Sequence, residues 1–235
     1  EAFPLGPMPM ERLGNIVRRP AEREGLVIED ELVDALKRDT GTPDALPLLA
    51  YTLRHLYELH GADQRLTLEE YKSIGRLEGS VRTQAEATID IGQLDATAIE
   101  ALRDAFVPGL VRATEGGSFV KGPSRLAALP TRAQPLLRLL CDKAKLLVLD
   151  RDREGQETVE IAHEALLRVW PLLKSWIEDD AIRLQQLAAI QRAASEWNSH
   201  HENPDFLIHR RDRLLVFYSL AELPRFDRQL DSTNR

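Results

Sequence analysis

The chain has little cysteine and no long apolar run, and each scarcity closes off a class of protein. A single cysteine among 235 residues, Cys141, excludes an intrachain disulfide. It lies in the apolar stretch "PLLRLLCDKAKLLVL", where a buried structural thiol is expected rather than a nucleophile. That usage fits a reducing, cytoplasmic setting. No run of about 18 apolar residues is present to cross a membrane. The opening "EAFPLGPMPMERLG" also lacks the basic, apolar and small-residue order of a secretory signal. It begins without methionine and in mid-phrase, so a piece of a longer polypeptide is expected.

Several chemical motifs are missing as well. No G-x-x-x-x-G-K-[ST] occurs, so the chain carries no backbone cradle for nucleotide phosphates. "GGSFVKG" has glycines and a lysine, but no hydroxyl residue follows the lysine and the spacing is wrong. His200 and His201 are adjacent, and helix neighbours cannot face one ion, so no metal site is expected. No G-x-S-x-G elbow appears. Catalysis by this chain alone has little support, and we expect a non-enzymatic, regulatory role.

What is present is 43% hydrophobic content, enough for real cores, and a formal charge of −7. That sign argues against nucleic-acid binding, which draws its affinity from Lys and Arg on phosphates. The average conceals a basic segment. Residues 118–145 hold Lys121, Arg125, Arg132, Arg138, Lys143 and Lys145 against Asp142 alone, a charge of +5 that leaves −12 for the remainder. A solvated helix face and an anion-facing surface both account for it.

The first 90 residues read as helical throughout. In "LVIEDELVDALKRDTG" Leu32, Val33 and Leu36 share a face, acids lead, Lys37 and Arg38 trail, and Gly41 stands at a left-handed cap. Asp44 can cap the next helix. Pro47 then falls in its first turn, where a missing N–H costs nothing, and Leu46, Leu49, Leu53, Leu56 and Leu59 form its apolar stripe. "LTLEEYKSIG" carries a capping box, Thr67 with Glu70 three residues on. A thinly apolar helix, "GSVRTQAEATIDIG", follows.

From Asp95 the pattern changes. "DATAIEALRDAFVPGLVRA" reads as a helix, "GGSFVKGPS" as a short strand, "SRLAAL" as a helical turn or two, and "TRAQPLLRLLCDKAKL" as a longer helix. "LLVLD" and "TVEIA" are strands joined by the hairpin loop "RDREGQE". That order is the winged-helix variant of helix-turn-helix, with the hairpin as wing. Helical pattern then resumes, with Pro171 bending it or opening a new segment, and Asn203 with Pro204 opening the last long helix. The expected fold is therefore mainly α: helices over 1–90, a winged-helix domain with a small β wing over 91–178, and a C-terminal helical linker over 179–235.

His163 sits where "TVEIA" meets the helix after it. At a helix's first turn, unpaired N–H groups favour an anion, and a neutral imidazole adds a donor. A purely structural cap is the other reading of that position.

The order of these elements resembles the region that follows the P-loop core in bacterial STAND ATPases, signal-transduction relatives of NB-ARC and NACHT proteins, and most closely those with β-propeller (WD) repeats downstream. "GTPDALPLLAYTLRHLYE", "LTLEEYKSIGRLEGSV" and "TVEIAHEALLRVWPLLKSWIEDD" carry the resemblance, with "SEWNSHHENPDFLI" fitting as flank. It implies that residues 1–90 are a helical lid. It implies that Pro47 packs against adenine, and that His163 matches the histidine of a Met-His-Asp motif, touching the β-phosphate of ADP. This chain reads Ala162, His163, Glu164 there, a smaller first residue and a longer acid. The implied partners are an upstream ATPase core, a downstream repeat domain and a second copy of the protein. ADP or ATP with Mg would be the cofactors of the longer polypeptide and not of this piece alone. The competing class is a winged-helix nucleic-acid module, with "TRAQPLLRLLCDKAKL" as its recognition helix. A passive spacer is a third.

Overall fold

The computed structural model describes residues 9–40, 46–90, 93–203, 206 and 211–230. The chain is mainly helical and divides into two compact units, residues 1–84 and 85–235.

In the first unit, helix α1 (Leu13–Arg23) buries Leu13, Val17 and Ala21, a spacing of four that keeps them on one face. That face packs on α2 (Asp30–Thr40), where Leu32, Val33 and Leu36 are fully buried, as the periodicity requires. Asp30 and Glu31 open α2 while Lys37 and Arg38 close it, so its charges complement the macrodipole. Gly41 and Asp44 lie outside the described residues.

The expectation of helix throughout fails between α1 and α2. There β1 (Val27–Ile28) pairs in parallel with β2 (Arg65–Leu66). Glu29 fastens the pair, accepting from the Leu68 backbone N–H at 2.9 Å and from Arg65 at 2.8 Å. Those two hydrogen bonds hold its carboxyl below the usual range. The partners are separated by more than 35 residues, so no local pattern announces them.

Helix α3 (Leu46–His60) places Pro47 in its first turn, as expected. Its buried face, however, is Leu48, Leu49, Thr52 and Leu56, while Leu59 is 55% exposed. The stripe is rotated because Thr52 can be buried: its hydroxyl lies 2.8 Å from Ser80 Oγ, which donates to the Leu77 carbonyl. Helix α4 (Leu68–Ser73) begins with the capping box in full, the Glu70 N–H reaching Thr67 Oγ1 and the Thr67 N–H reaching the Glu70 carboxylate. Tyr71 is buried on α4, donating to Asp39 at 2.8 Å, and burial pushes its phenol well up. Gly75 turns the chain into α5 (Arg76–Thr88) at φ +79°, where an added Cβ would lie 2.9 Å from the Gly79 backbone.

The second unit opens with α6 (Ala96–Asp104), capped by Asp95 through the Ala98 N–H. The expected helix does not continue to residue 113. A buried irregular turn over Ala105–Leu110 contains Pro108, and the chain then extends as β3 (Val111–Ala113), pairing antiparallel with β4 (Phe119–Lys121). Arg112 stitches this turn together, its guanidinium donating to the carbonyls of Pro108, Gly109, Val111 and Pro123 and to Ser124 Oγ.

After β5 (Ser124–Arg125) and a short turn, α7 (Gln134–Asp142) buries Leu137, Leu140 and Cys141. Strands β6 (Leu147–Arg151) and β7 (Glu157–Ile161) form the hairpin that the sequence suggests, and the sheet runs β5–β7–β6, antiparallel throughout. The Asp152 carboxylate accepts from the Glu154 and Gln156 N–H groups and from Arg125, closing the loop. Val159 and Ile161 face inward at 0% exposure.

Among the described residues five further helices follow: α8 (Leu166–Val169), α9 (Pro171–Asp179), α10 (Ala181–Ser199), α11 (Arg211–Ala221) and α12 (Pro224–Asp227). Pro171 opens α9 at its first position, where it costs no hydrogen bond. Pro204 lies outside the described residues. Trp170 packs edge-on to Phe106 and Trp176, with ring centroids 5.4 and 6.2 Å apart. Between α9 and α10, Asp180 is fully buried and bonded to Arg103, Arg183 and Arg225.

Candidate functional site

His163 belongs to the connection between β7 and α8, and both ends of that connection are anchored in the core. Upstream, Ile161 is buried and the Ala162 N–H donates to the Leu146 carbonyl at 2.8 Å. Downstream, Leu166 and Leu167 are buried and Trp170 is 1% exposed. The imidazole is thus carried on a short segment with little freedom, which is what a positioned contact needs.

Its exact placement differs from the expectation. His163 precedes the helix, its carbonyl accepting from the Leu166 N–H at 3.0 Å, and α8 is only four residues long. So short a helix has almost no macrodipole, and the anion-favouring field expected there does not arise from it. A cation supplies positive potential instead. β4 packs against α8, and the Lys121 ammonium on β4 is 3.4 Å from Glu160, three residues before His163. Burial of the ring, and secondarily the Lys121 charge, pull the His163 pKa below its ordinary value. The imidazole is therefore neutral at pH 7 and has one N–H to donate. Of its neighbours in the triplet, Ala162 is half-buried and Glu164 is exposed.

Pro47 is exposed on the first turn of α3. It belongs to the first unit and His163 to the second.

The basic segment is largely neutralised within the chain. Lys121 pairs with Glu160, Arg125 with Asp152 and Glu154, Arg132 with Asp95, and Arg138 with Glu157. Among the described residues only Lys143 and Lys145 of that group make no ion pair. Gln134, the one amide on α7 suited to reading a base, donates instead to the Leu126 and Leu129 carbonyls. Nothing here favours the nucleic-acid alternative. Among the described residues no group of three or more His, Cys, Asp or Glu could hold a metal, and no helix is long and apolar enough to cross a membrane.

Reasoning from the sequence missed Lys121 as a neighbour of His163 and Asp180 as a buried centre of charge. Neither has a local signature, since each meets its partners through tertiary packing.

The chain is mainly helical, with His163 between a strand and a short helix. Residues 1–205 match the family model of Novel STAND NTPase 1, and the chain belongs to that family. No curated protein matches the chain. No solved structure matches it.

Proposed function

We propose that this chain is the regulatory lid and winged-helix part of a STAND-type signal-transduction ATPase, which latches bound ADP and relays the nucleotide state to oligomerisation or effector domains. The observation that carries this reading is a match to a STAND NTPase family over residues 1–205 in a chain that has no P-loop. The P-loop and catalytic residues would then come from an upstream core of the same polypeptide, and this chain is not itself the enzyme. Its partners are that core, a downstream WD repeat domain and a second copy of the protein, and its setting is the cytoplasm. The helical first unit is the lid. In the second unit, the sequence of α6, the β3–β4 hairpin, α7 and the β5–β7–β6 sheet supports a winged helix with β6–β7 as its wing.

The residues present suit a nucleoside diphosphate. A neutral His163 with a cation nearby can donate to a phosphate oxygen, and the exposed Pro47 ring can cover an adenine face. When bound, ADP with Mg supplies the charge that links core to winged helix. A hydrogen bond to a charged group is worth about 1.5 to 3 kcal/mol, so this single contact biases a two-state equilibrium roughly 10- to 150-fold. That is enough to weight a switch without locking it.

The test is ADP retained through purification of a polypeptide that includes the upstream core, wild type beside His163→Ala. Loss of ADP from the variant, with its circular dichroism unchanged, is the expected result. Equal retention would return His163 to a structural role.

A further inference from the structure

We propose that Lys121 is a second phosphate-binding side chain beside His163, held in reserve by its ion pair with Glu160. This rests on the phosphate role of His163. Lys121 closes strand β4, which packs on the α8 turn behind His163, and its ammonium is 3.4 Å from the Glu160 carboxylate. Glu160 is three residues before His163 on the strand that leads to it. Both partners of the pair are about one-third exposed, so the ammonium can reach solvent or a ligand without unpacking the core. Its strand partner Val111 is fully buried and fixes the base of the side chain. The positive charge is already felt at His163, whose proton affinity falls partly because of it.

A pair so exposed is weakly held. A diphosphate carries more charge than one carboxylate and offers several acceptor oxygens, so it displaces Glu160 from Lys121 where geometry allows. The consequence is an exchange. Without the anion, Glu160 neutralises Lys121 and quiets the site; with it, Lys121 turns to phosphate and Glu160 is freed beside the wing. Lys121 differs in this from Arg125 and Arg138 of the same basic segment, whose ion pairs are made to the loop of the β6–β7 hairpin and to the first residue of β7.

The amide signals of Ala162 and Glu164 in an NMR titration of this chain with inorganic pyrophosphate report the site. His163→Ala and Lys121→Gln are each expected to weaken pyrophosphate roughly tenfold or more. Glu160→Gln, by removing the competitor, is expected to tighten it about two- to fivefold, and Lys143→Gln to change nothing. ADP should move the same signals and adenosine should not. If His163→Ala weakens binding while Lys121→Gln and Glu160→Gln match the wild type, the role of Lys121 is overturned and that of His163 stands. If His163→Ala has no effect, the reading beneath the proposal falls and the proposal with it. Binding of pyrophosphate but not ADP would overturn a nucleotide as the source of the phosphate.

Discussion

Two half-buried histidines, His55 on α3 and His163, have pKa values lowered chiefly by burial, which makes their charged forms costly in the folded chain. For His163 the Lys121 charge adds to this; for His55 the His60 charge adds and Glu58 opposes. In the unfolded chain both take up a proton near the ordinary value of about 6.5. The unfolded state therefore binds more protons as pH falls below that value, and the stability these residues contribute is complete above it and lost as pH drops through the folded values. Urea unfolding should show a lower midpoint at acidic than at neutral pH, with part of the difference abolished by His163→Gln. An identical response in that variant would mean that His163 is not the group responsible. Cys141 makes a parallel case. Burial, with Asp142 beside it, raises its thiol to about 11, so a disulfide reagent should label it slowly until denaturant is added.

At the level of elements, local signals were legible and distant pairings were not. The capping box of α4 was readable because Thr67 and Glu70 are three residues apart, and Thr67→Ala should cost about 1 kcal/mol by chemical denaturation. The β6–β7 hairpin was readable because a glycine-bearing loop separates two aliphatic runs. Strands β1 and β3 were not. β1 needs a partner from beyond α3, and the extension of β3 follows from Pro108 and from the carbonyls that Arg112 gathers. Replacing Arg112 by Met, similar in length but unable to donate, should destabilise the second unit by about 2 kcal/mol, because several buried carbonyls lose their donor. Of the candidate site, the position of His163 between strand and helix was legible, while its charged neighbour was not. The rotated face of α3 has the same kind of cause, since a buried Thr52 is acceptable only once Ser80 is beside it.

Over the whole molecule, the family match stops at residue 205, yet the fold continues past it. Arg225 reaches Asp180 at 2.9 Å, and Arg228 reaches Asp104 at 2.7 Å, so α12 is tied to α6 and to the α9–α10 junction by buried and half-buried charge. Asp180 is the centre of this cluster, and Asp180→Ala would leave Arg103, Arg183 and Arg225 converging without their shared anion. A loss of roughly 3 kcal/mol is expected, visible in calorimetry as a lowered transition, whereas an unchanged transition would mean that solvent satisfies these arginines. The aromatic cluster of Phe106, Trp170 and Trp176 has a consequence of another kind. All three tryptophans of the chain, with Trp197, belong to residues 85–235, and the first 84 residues contain none. Intrinsic tryptophan emission therefore watches the unit that carries His163 alone, while far-ultraviolet circular dichroism sums both. One unlabelled sample, followed by the two signals through denaturant, would measure how far the two units fold as one.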